Sequence, residues 1–403
     1  MAEQKELDLE DRDYINWLPD ELILIILSKL DLSNGARTTI LSTRWRNLWT
    51  FPTTVLRFDA SDMVPSDTDY FQCYHHSMAK NIKLEHVVDQ ALAQYTGDVI
   101  DELNISYVPS KFGTPLFSLP HEPWAKVDTW VEFAKQKQVK NLSLSFELFK
   151  KRQPPPYMPS LLKSLTSSTL LSLVTLRLKS PPKLSKDFIE SLLSSFPNLE
   201  ELSIAKSKSF VNFVYIEGPS LKLKHLEIID LFIGGLSISA PNLISFNFIG
   251  SRKIGTYIRL SKVPYIYHFR ASMENLKQLK FTLGEDVDEA LCLFFRLLGA
   301  SPSLCKLWLN FGVFTCPLIQ NHQFAINQYL VEVEIDGFAG FDNEVQLVMC
   351  IAQSSPSLKK IVICPRLFKF SFKNAIICTE QHNVVSTVQS LQSKLPQLEL
   401  VII

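Results

Sequence analysis

Phe196-Pro197-Asn198-Leu199-Glu200-Glu201-Leu202-Ser203-Ile204 is the stretch whose reading decides the fold. Proline and a small polar residue interrupt what precedes, and Leu199, Leu202 and Ile204 then follow in the order apolar-x-x-apolar-x-apolar. Glu201 and Ser203 alternate with the last two apolar residues, the period-two pattern of a strand with one buried face.

Moving outward in both directions, the pattern returns at Ile100-Leu103-Ile105, Val139-Leu142-Leu144, Leu173-Leu176-Leu178, Leu223-Leu226-Ile228, Leu243-Phe246-Phe248, Leu276-Leu279-Phe281, Leu304-Leu307-Leu309, Leu330-Val333-Ile335, Leu358-Ile361-Ile363 and Leu395-Leu398-Leu400. The punctuation returns as well, at Ala240-Pro241-Asn242-Leu243, Ser301-Pro302-Ser303-Leu304 and Ser355-Pro356-Ser357-Leu358, and Pro197, Pro219 and Pro241 fall 22 residues apart. Leucine-rich repeats have a period of roughly 20–29 residues, each unit a strand plus a return segment that buries its apolar face only by stacking on neighbours.

Longer gaps, 39 residues from Ile100 to Val139, 33 from Leu243 to Leu276 and 37 from Leu358 to Leu395, predict inserted helices or loops. Asp187 to Leu193 and Glu344 to Ile351 carry helical periodicity and suit the convex side of a horseshoe. The fold class is therefore α/β, an irregular solenoid over residues 98–403 with its strands on the concave face. Residues that alternate with the buried ones then face the concavity, where a partner would be held: Arg177, Glu201, Ser203, Glu227, Asn247, Lys280, Trp308, Asn310, Glu332 and Glu334. Trp308 is the strongest single candidate, because an exposed tryptophan on a strand is common at binding hot spots, although a neighbouring loop could also cover it.

The N-terminal region differs. Residues 18–30 place Pro19 at a helix entry and Asp20 and Glu21 in the first turn, where free amides favour negative charge. Leu22, Ile25, Ile26 and Leu30 form one apolar stripe, and Ile23, Leu24 and Leu27 extend it until the helix needs partners on two sides. After a polar break at Asp31 to Gly35, Ile40, Leu41, Trp45, Leu48 and Trp49 form a second apolar set among Arg37, Arg44 and Arg46. A module this small borrows burial from a neighbour or another subunit.

These residues carry a resemblance. Leu18-Pro19-Asp20-Glu21-Leu22, Ile26-Leu27-Ser28-Lys29-Leu30 and the run from Ala36 to Trp49 resemble the plant-type F-box. The resemblance implies a three-helix module over residues 13–52 that packs on a Skp-type adaptor, with Leu18, Pro19, Leu22, Leu41 and Trp45 at positions the family uses for contact or core. Ile25, Ile26, Leu48 and Trp49 complete the expected adaptor-facing set. Asp31 stands where the family commonly has proline and Gly35 where it has alanine. A glycine inside a helix costs about 0.5–1 kcal/mol, which implies weaker adaptor binding with the apolar anchors retained. Asp128 to Ala134 leading into Val139-Lys140-Asn141-Leu142 resembles the first clear repeat of plant F-box proteins with leucine-rich repeats, and Leu330 to Gly340 followed by Glu344 to Leu347 resembles their FBD segment, placed at about 326–370. Residues 1–12 are expected as a disordered tail and 53–97 as a linker or first cap of the solenoid.

Composition narrows the rest. Lysine plus arginine equals aspartate plus glutamate at 41 each, so no whole-chain field attracts nucleic acid or anionic lipid. The acidic, polar start is not a secretory signal, and Leu22 to Leu27 is far too short to span a bilayer. Seven cysteines without a Cys-x-x-Cys clip read as small hydrophobes of a reducing compartment, nucleus or cytoplasm. Cys73, His75, His76 and His86 match no closed zinc spacing, and no nucleophile elbow is present. Gly234-Gly235 reads as a repeat turn, and Lys150-Lys151-Arg152 before Pro154-Pro155-Pro156 as a solvated tip. No cofactor, metal or catalytic residue is expected. The expected role is the non-catalytic, target-choosing subunit of a cullin-RING, SCF-type ubiquitin ligase; the alternative is a freestanding repeat scaffold whose N-terminal helices merely cap the array.

Overall fold

The computed structural model describes residues 15, 17–30, 38, 40–49, 54–59, 84–93, 95, 97–107, 123–146, 165, 170–181, 184–207, 210–211, 213–250, 268–283, 287–311, 326–365 and 381–403. They belong to two compact units, Met1–Lys150 and Lys151–Ile403.

In the first unit, helices α1 (Asp20–Lys29) and α2 (Thr43–Trp49) pack together around Ile23, Leu27, Trp45 and Leu48. Ser42 accepts the Trp45 amide at 3.2 Å and so caps the second helix. Strands β1 (Val55–Asp59), β2 (Glu102–Tyr107) and β3 (Asn141–Phe146) form a parallel ladder. The 39-residue gap holds α4 (Pro123–Gln136), and a helix at 84–93, α3, lies within the segment expected as linker or cap. Leu84, Val88 and Leu92 are its buried stripe, and Val127, Trp130, Val131 and Ala134 are that of α4. Asp89 ties the two helices, accepting from Trp130 Nε1 at 3.0 Å and Lys126 Nζ at 2.5 Å.

The second unit follows in the order β4 (Thr175–Lys179), α5 (Lys186–Ser195), β5 (Glu201–Ala205), β6 (Phe210–Val211), β7 (Val214–Glu217), β8 (His225–Ile233), β9 (Gly235–Ser239), β10 (Ser245–Gly250), β11 (His268–Ser272), β12 (Gln278–Thr282), α6 (Val287–Gly299), β13 (Lys306–Asn310), β14 (Glu332–Phe338), α7 (Asp342–Ser354), β15 (Lys360–Pro365), α8 (Gln381–Lys394) and β16 (Glu399–Ile402). Its main sheet is parallel, β4-β5-β8-β10-β12-β13-β14-β15-β16. Each of the eleven sequence matches leads into one strand of β2 to β5, β8, β10 or β12 to β16. Leu202, Leu226, Phe246, Leu279, Leu307, Val333 and Ile361 stand in register as one buried row, each at most 1% exposed. Each such side chain contributes about 1.5–3 kcal/mol by leaving water.

The helices expected at 187–193 and 344–351 are present as α5 and α7. The return segments of the shorter repeats are strands instead: β7, β9 and β11 form a second parallel sheet, with α5 beside β7 and α6 beside β11. Repeats near 22 residues leave too little chain for a helix after strand and turn. Gly235 opens β9 rather than turning the chain; a Cβ there would stand 2.3 Å from the Phe213 ring, which stacks on Tyr215.

Asparagines lace the repeats. Asn198 donates to Leu171 O at 2.7 Å, Asn242 to Leu221 O at 2.7 Å, Asn275 to Pro241 O at 2.8 Å and buried Asn327 to Ser301 O at 3.1 Å. At the far end, Leu400 N points away from β15, and Gln392 of α8 accepts it at 3.2 Å while donating to Leu398 O at 2.8 Å. One side-chain amide thereby makes the two bonds that a residue of a further parallel strand would make.

Candidate functional site

Two surfaces carry the residues singled out in the sequence. On the helical pair, alternate burial divides the apolar set. Ile23, Leu27, Trp45 and Leu48 are at most 5% exposed and hold α1 against α2, with Leu18, Leu24 and Leu30 packed at the edge. Leu22, Ile25, Ile26 and Leu41 remain 45%, 55%, 39% and 49% exposed, and Pro19 is exposed at the entry of α1. Monomeric surfaces seldom keep such a set uncovered. Trp45, expected at a contact or core position, and Leu48, expected on the adaptor-facing set, both lie in the core, where the indole and the Leu48 methyls fill the space between the two helices. The side chain of Trp49 and residues 31–37, with the Asp31 and Gly35 departures, lie outside the described residues. Ile15, Trp17 and Ile40, outside the expected adaptor-facing set, are also exposed, at 49%, 68% and 84%. Arg44 Nε donates to Asp20 Oδ1 at 2.7 Å, an exposed pair worth at most about 1 kcal/mol that fixes the helix crossing.

On the main sheet, register places Arg177, Ser203, Glu227, Asn247, Lys280, Trp308 and Glu334 in one cross-strand row opposite the buried one. Glu201 and Glu332 belong to the row before it and Asn310 to the row after. All ten expected residues thus share one sheet face. Their exposure is uneven, because neighbours lock laterally. Arg177 Nη2 donates to Glu201 Oε1 at 2.6 Å; Ser203 Oγ and Asn247 Nδ2 both donate to Glu227, at 2.8 and 2.9 Å; Asn310 donates to Asp336 at 2.6 Å. Ser203, expected to be exposed, is only 7% so, covered by that contact. Trp308 is half-buried rather than free: its Nε1 donates to Glu334 Oε2 at 2.7 Å, and Lys306 Nζ stands 4.5 Å from the ring centroid while pairing with Glu332 at 3.1 Å. The neighbouring Cys364 thiol is pushed up by burial and by the nearby Glu334 and Asp336 charges, which leaves it a poor nucleophile.

Among the described residues, no group of three metal-ligating side chains is assembled, and no helix is long and apolar enough to cross a membrane. Cys73, His75, His76, Lys150, Lys151, Arg152 and the three prolines after them lie outside the described residues; His86 is exposed on α3.

The F-box domain family model matches residues 15–53. The chain is 28% identical over 246 residues to a putative F-box protein of Arabidopsis thaliana, covering 59% of this chain and 56% of that protein. An F-box/LRR-repeat protein of the same plant is 24% identical over 315 residues, 74% of this chain and 63% of its own length. A putative FBD-associated F-box protein, again of Arabidopsis thaliana, is 24% identical over 343 residues, 77% of this chain and 73% of its own length. The chain thus spans less than two thirds of the first two relatives. The chain therefore carries an F-box domain over residues 15–53 and resembles plant F-box/leucine-rich-repeat proteins and an FBD-associated F-box protein, an FBD-like segment included.

Proposed function

We propose that the chain is the target-choosing subunit of a cullin-RING, SCF-type ubiquitin ligase in the nucleus or cytoplasm. In this reading the N-terminal helices dock on a Skp-type adaptor and the repeat face holds a target protein. Catalysis then comes from proximity, the target's lysines being held near a ubiquitin-charged enzyme, and no residue of this chain does chemistry.

The observation that carries the reading is the division of the F-box helices into a closed core, Ile23, Leu27, Trp45 and Leu48, and an open apolar set, Leu22, Ile25, Ile26 and Leu41. Covering each open side chain in an interface contributes about 1–3 kcal/mol, enough for the four to anchor an adaptor. Capture of a purified Skp-type adaptor by the intact chain tests it. Wild type is expected to retain the adaptor and a Leu22→Asp, Ile26→Asp variant to lose it by at least 100-fold in affinity. Failure of the folded wild-type chain to bind any adaptor overturns the reading and leaves a freestanding scaffold.

A further inference from the structure

The sheet face has a charge pattern that points to the chemistry of its partner. Nearly every charged group on it is matched from within. Glu201 is held by Arg177, Glu227 by Ser203 and Asn247, Glu332 by Lys306, Glu334 by Trp308, Asp336 by Asn310 and Glu399 by Lys360. Lys179 also has an engagement of its own. Lys280 differs: it is exposed in the middle of the row, its ladder neighbours are Asn247 and Trp308, and among the described residues it has no carboxylate partner. Beside it the Trp308 N–H is already consumed by Glu334, so the indole offers a partner its hydrocarbon edge and not a hydrogen bond. In the adjoining row Ala205, Ile229 and Ile249 stand together, half-buried and apolar.

We propose that this face recognises a target segment in which an aspartate or glutamate lies next to an apolar residue, with the carboxylate seated on Lys280 and the apolar side chain on Trp308. Ile229 and Ile249 extend the apolar contact on the other side. Lys306, beside Trp308, is itself paired with Glu332, and the acids of the face already accept from donors of their own, which leaves Lys280 as the cation open to a new carboxylate among the described residues. A polyanionic backbone such as RNA fits poorly, since the face carries Glu201, Glu227, Glu332, Glu334, Asp336 and Glu399 against Arg177, Lys179, Lys280, Lys306 and Lys360. The single unmatched cation supplies specificity and orientation; the apolar residues supply area. This inference rests on the reading of the chain as a target-binding subunit and names the chemistry of the target.

The test uses a random peptide library displayed on phage, selected on the intact purified chain, with the strongest synthetic peptide then titrated by fluorescence anisotropy. Selected peptides are expected to share an acidic residue beside an aliphatic or aromatic one. Lys280→Glu, a change at an exposed side chain, is expected to weaken the titrated peptide at least ten-fold, and a peptide with its acid replaced by lysine to recover binding on that variant. Trp308→Ala is expected to weaken both peptides alike. A selection that returns no binder, binders without an acid, or binders indifferent to Lys280→Glu overturns the inference. Adaptor capture measured on the same preparation separates the two claims: adaptor bound without acidic-peptide binding sinks only this one, and acidic-peptide binding without adaptor sinks only the ligase reading.

Discussion

Tyr107 donates its phenolic hydrogen to Glu85 Oε1 at 2.6 Å, and both side chains are removed from solvent, at 0% and 7% exposure. The bond joins β2 to α3, and the Trp130 ring closes over it edge-on at 5.6 Å. Burial first, and the Glu85 carboxylate second, hold the phenol's pKa far above its ordinary value. Tyr107→Phe removes a donor from a buried acceptor and is expected to cost about 1–3 kcal/mol. A raised pKa stabilises the folded state fully below the unfolded value of about 10, and that contribution is lost as pH rises further. Hydrogen exchange of α3 and β2 should therefore quicken above about pH 10 in wild type, with a smaller slope in Tyr107→Phe.

The exposed and the buried halves of the F-box helices should separate by mutation. Trp45→Ala empties the core between α1 and α2 and is expected to cost about 3–5 kcal/mol, melting both helices. Leu22→Asp acts at an exposed position and should leave them folded. Exchange protection of the α1 amides, lost in the first variant and kept in the second, checks this.

Glu344 is fully buried, and its Oε2 accepts the amides of Ala339 and Gly340 at 2.8 Å and of Phe341 at 3.3 Å. The carboxylate pins the turn through Gly340, at φ +86, onto the first turn of α7. Glu344→Ala should cost about 2–4 kcal/mol by orphaning those donors, and Glu344→Gln, which keeps one acceptor without the charge, about half as much. Urea unfolding midpoints of the three proteins check the ordering.

The lacing asparagines should differ by burial. Asn327 donates to Ser301 O and accepts the amides of Tyr329 and Leu330, at 3.2 and 3.1 Å, with 4% exposure. Asn327→Ala is expected to cost about 2–3 kcal/mol, whereas Asn198→Ala, whose partners can turn to water, should cost about 0.5 kcal/mol. Thermal melts of the two variants decide it.

The ladder strands were legible because Leu199, Leu202 and Ile204 and their counterparts carry both the spacing and the burial in one local pattern. β1 escaped because Thr53 stands where the first apolar residue of the pattern belongs, although Leu56 and Phe58 keep the alternation. β7 and β9 escaped because no proline and small polar residue set them off from what precedes, although Val214 and Ile216, and Leu236 and Ile238, keep the alternation. The left-handed turns after β4 and β5 fall on Ser180 and Lys206, at φ 54 and 59, residues that carry no glycine signal. On the sheet, parity put ten residues on one shared face, yet it said nothing of lateral locking such as Trp308 to Glu334, which depends on register between distant repeats. Nor does a helical stripe separate Leu22, facing outward, from Trp45, facing inward, when both are apolar.

The amide of Gln392 gives the sheet a guarded margin. Without it, β16 would display an unpaired main-chain donor and acceptor next to Ile402 and Ile403, which are 39% and 78% exposed, an inviting template for fibrillar growth from one molecule to the next. Gln392→Leu should strip the Leu400 amide and the Leu398 carbonyl of that partner, and faster hydrogen exchange of the Leu400 amide is the expected readout.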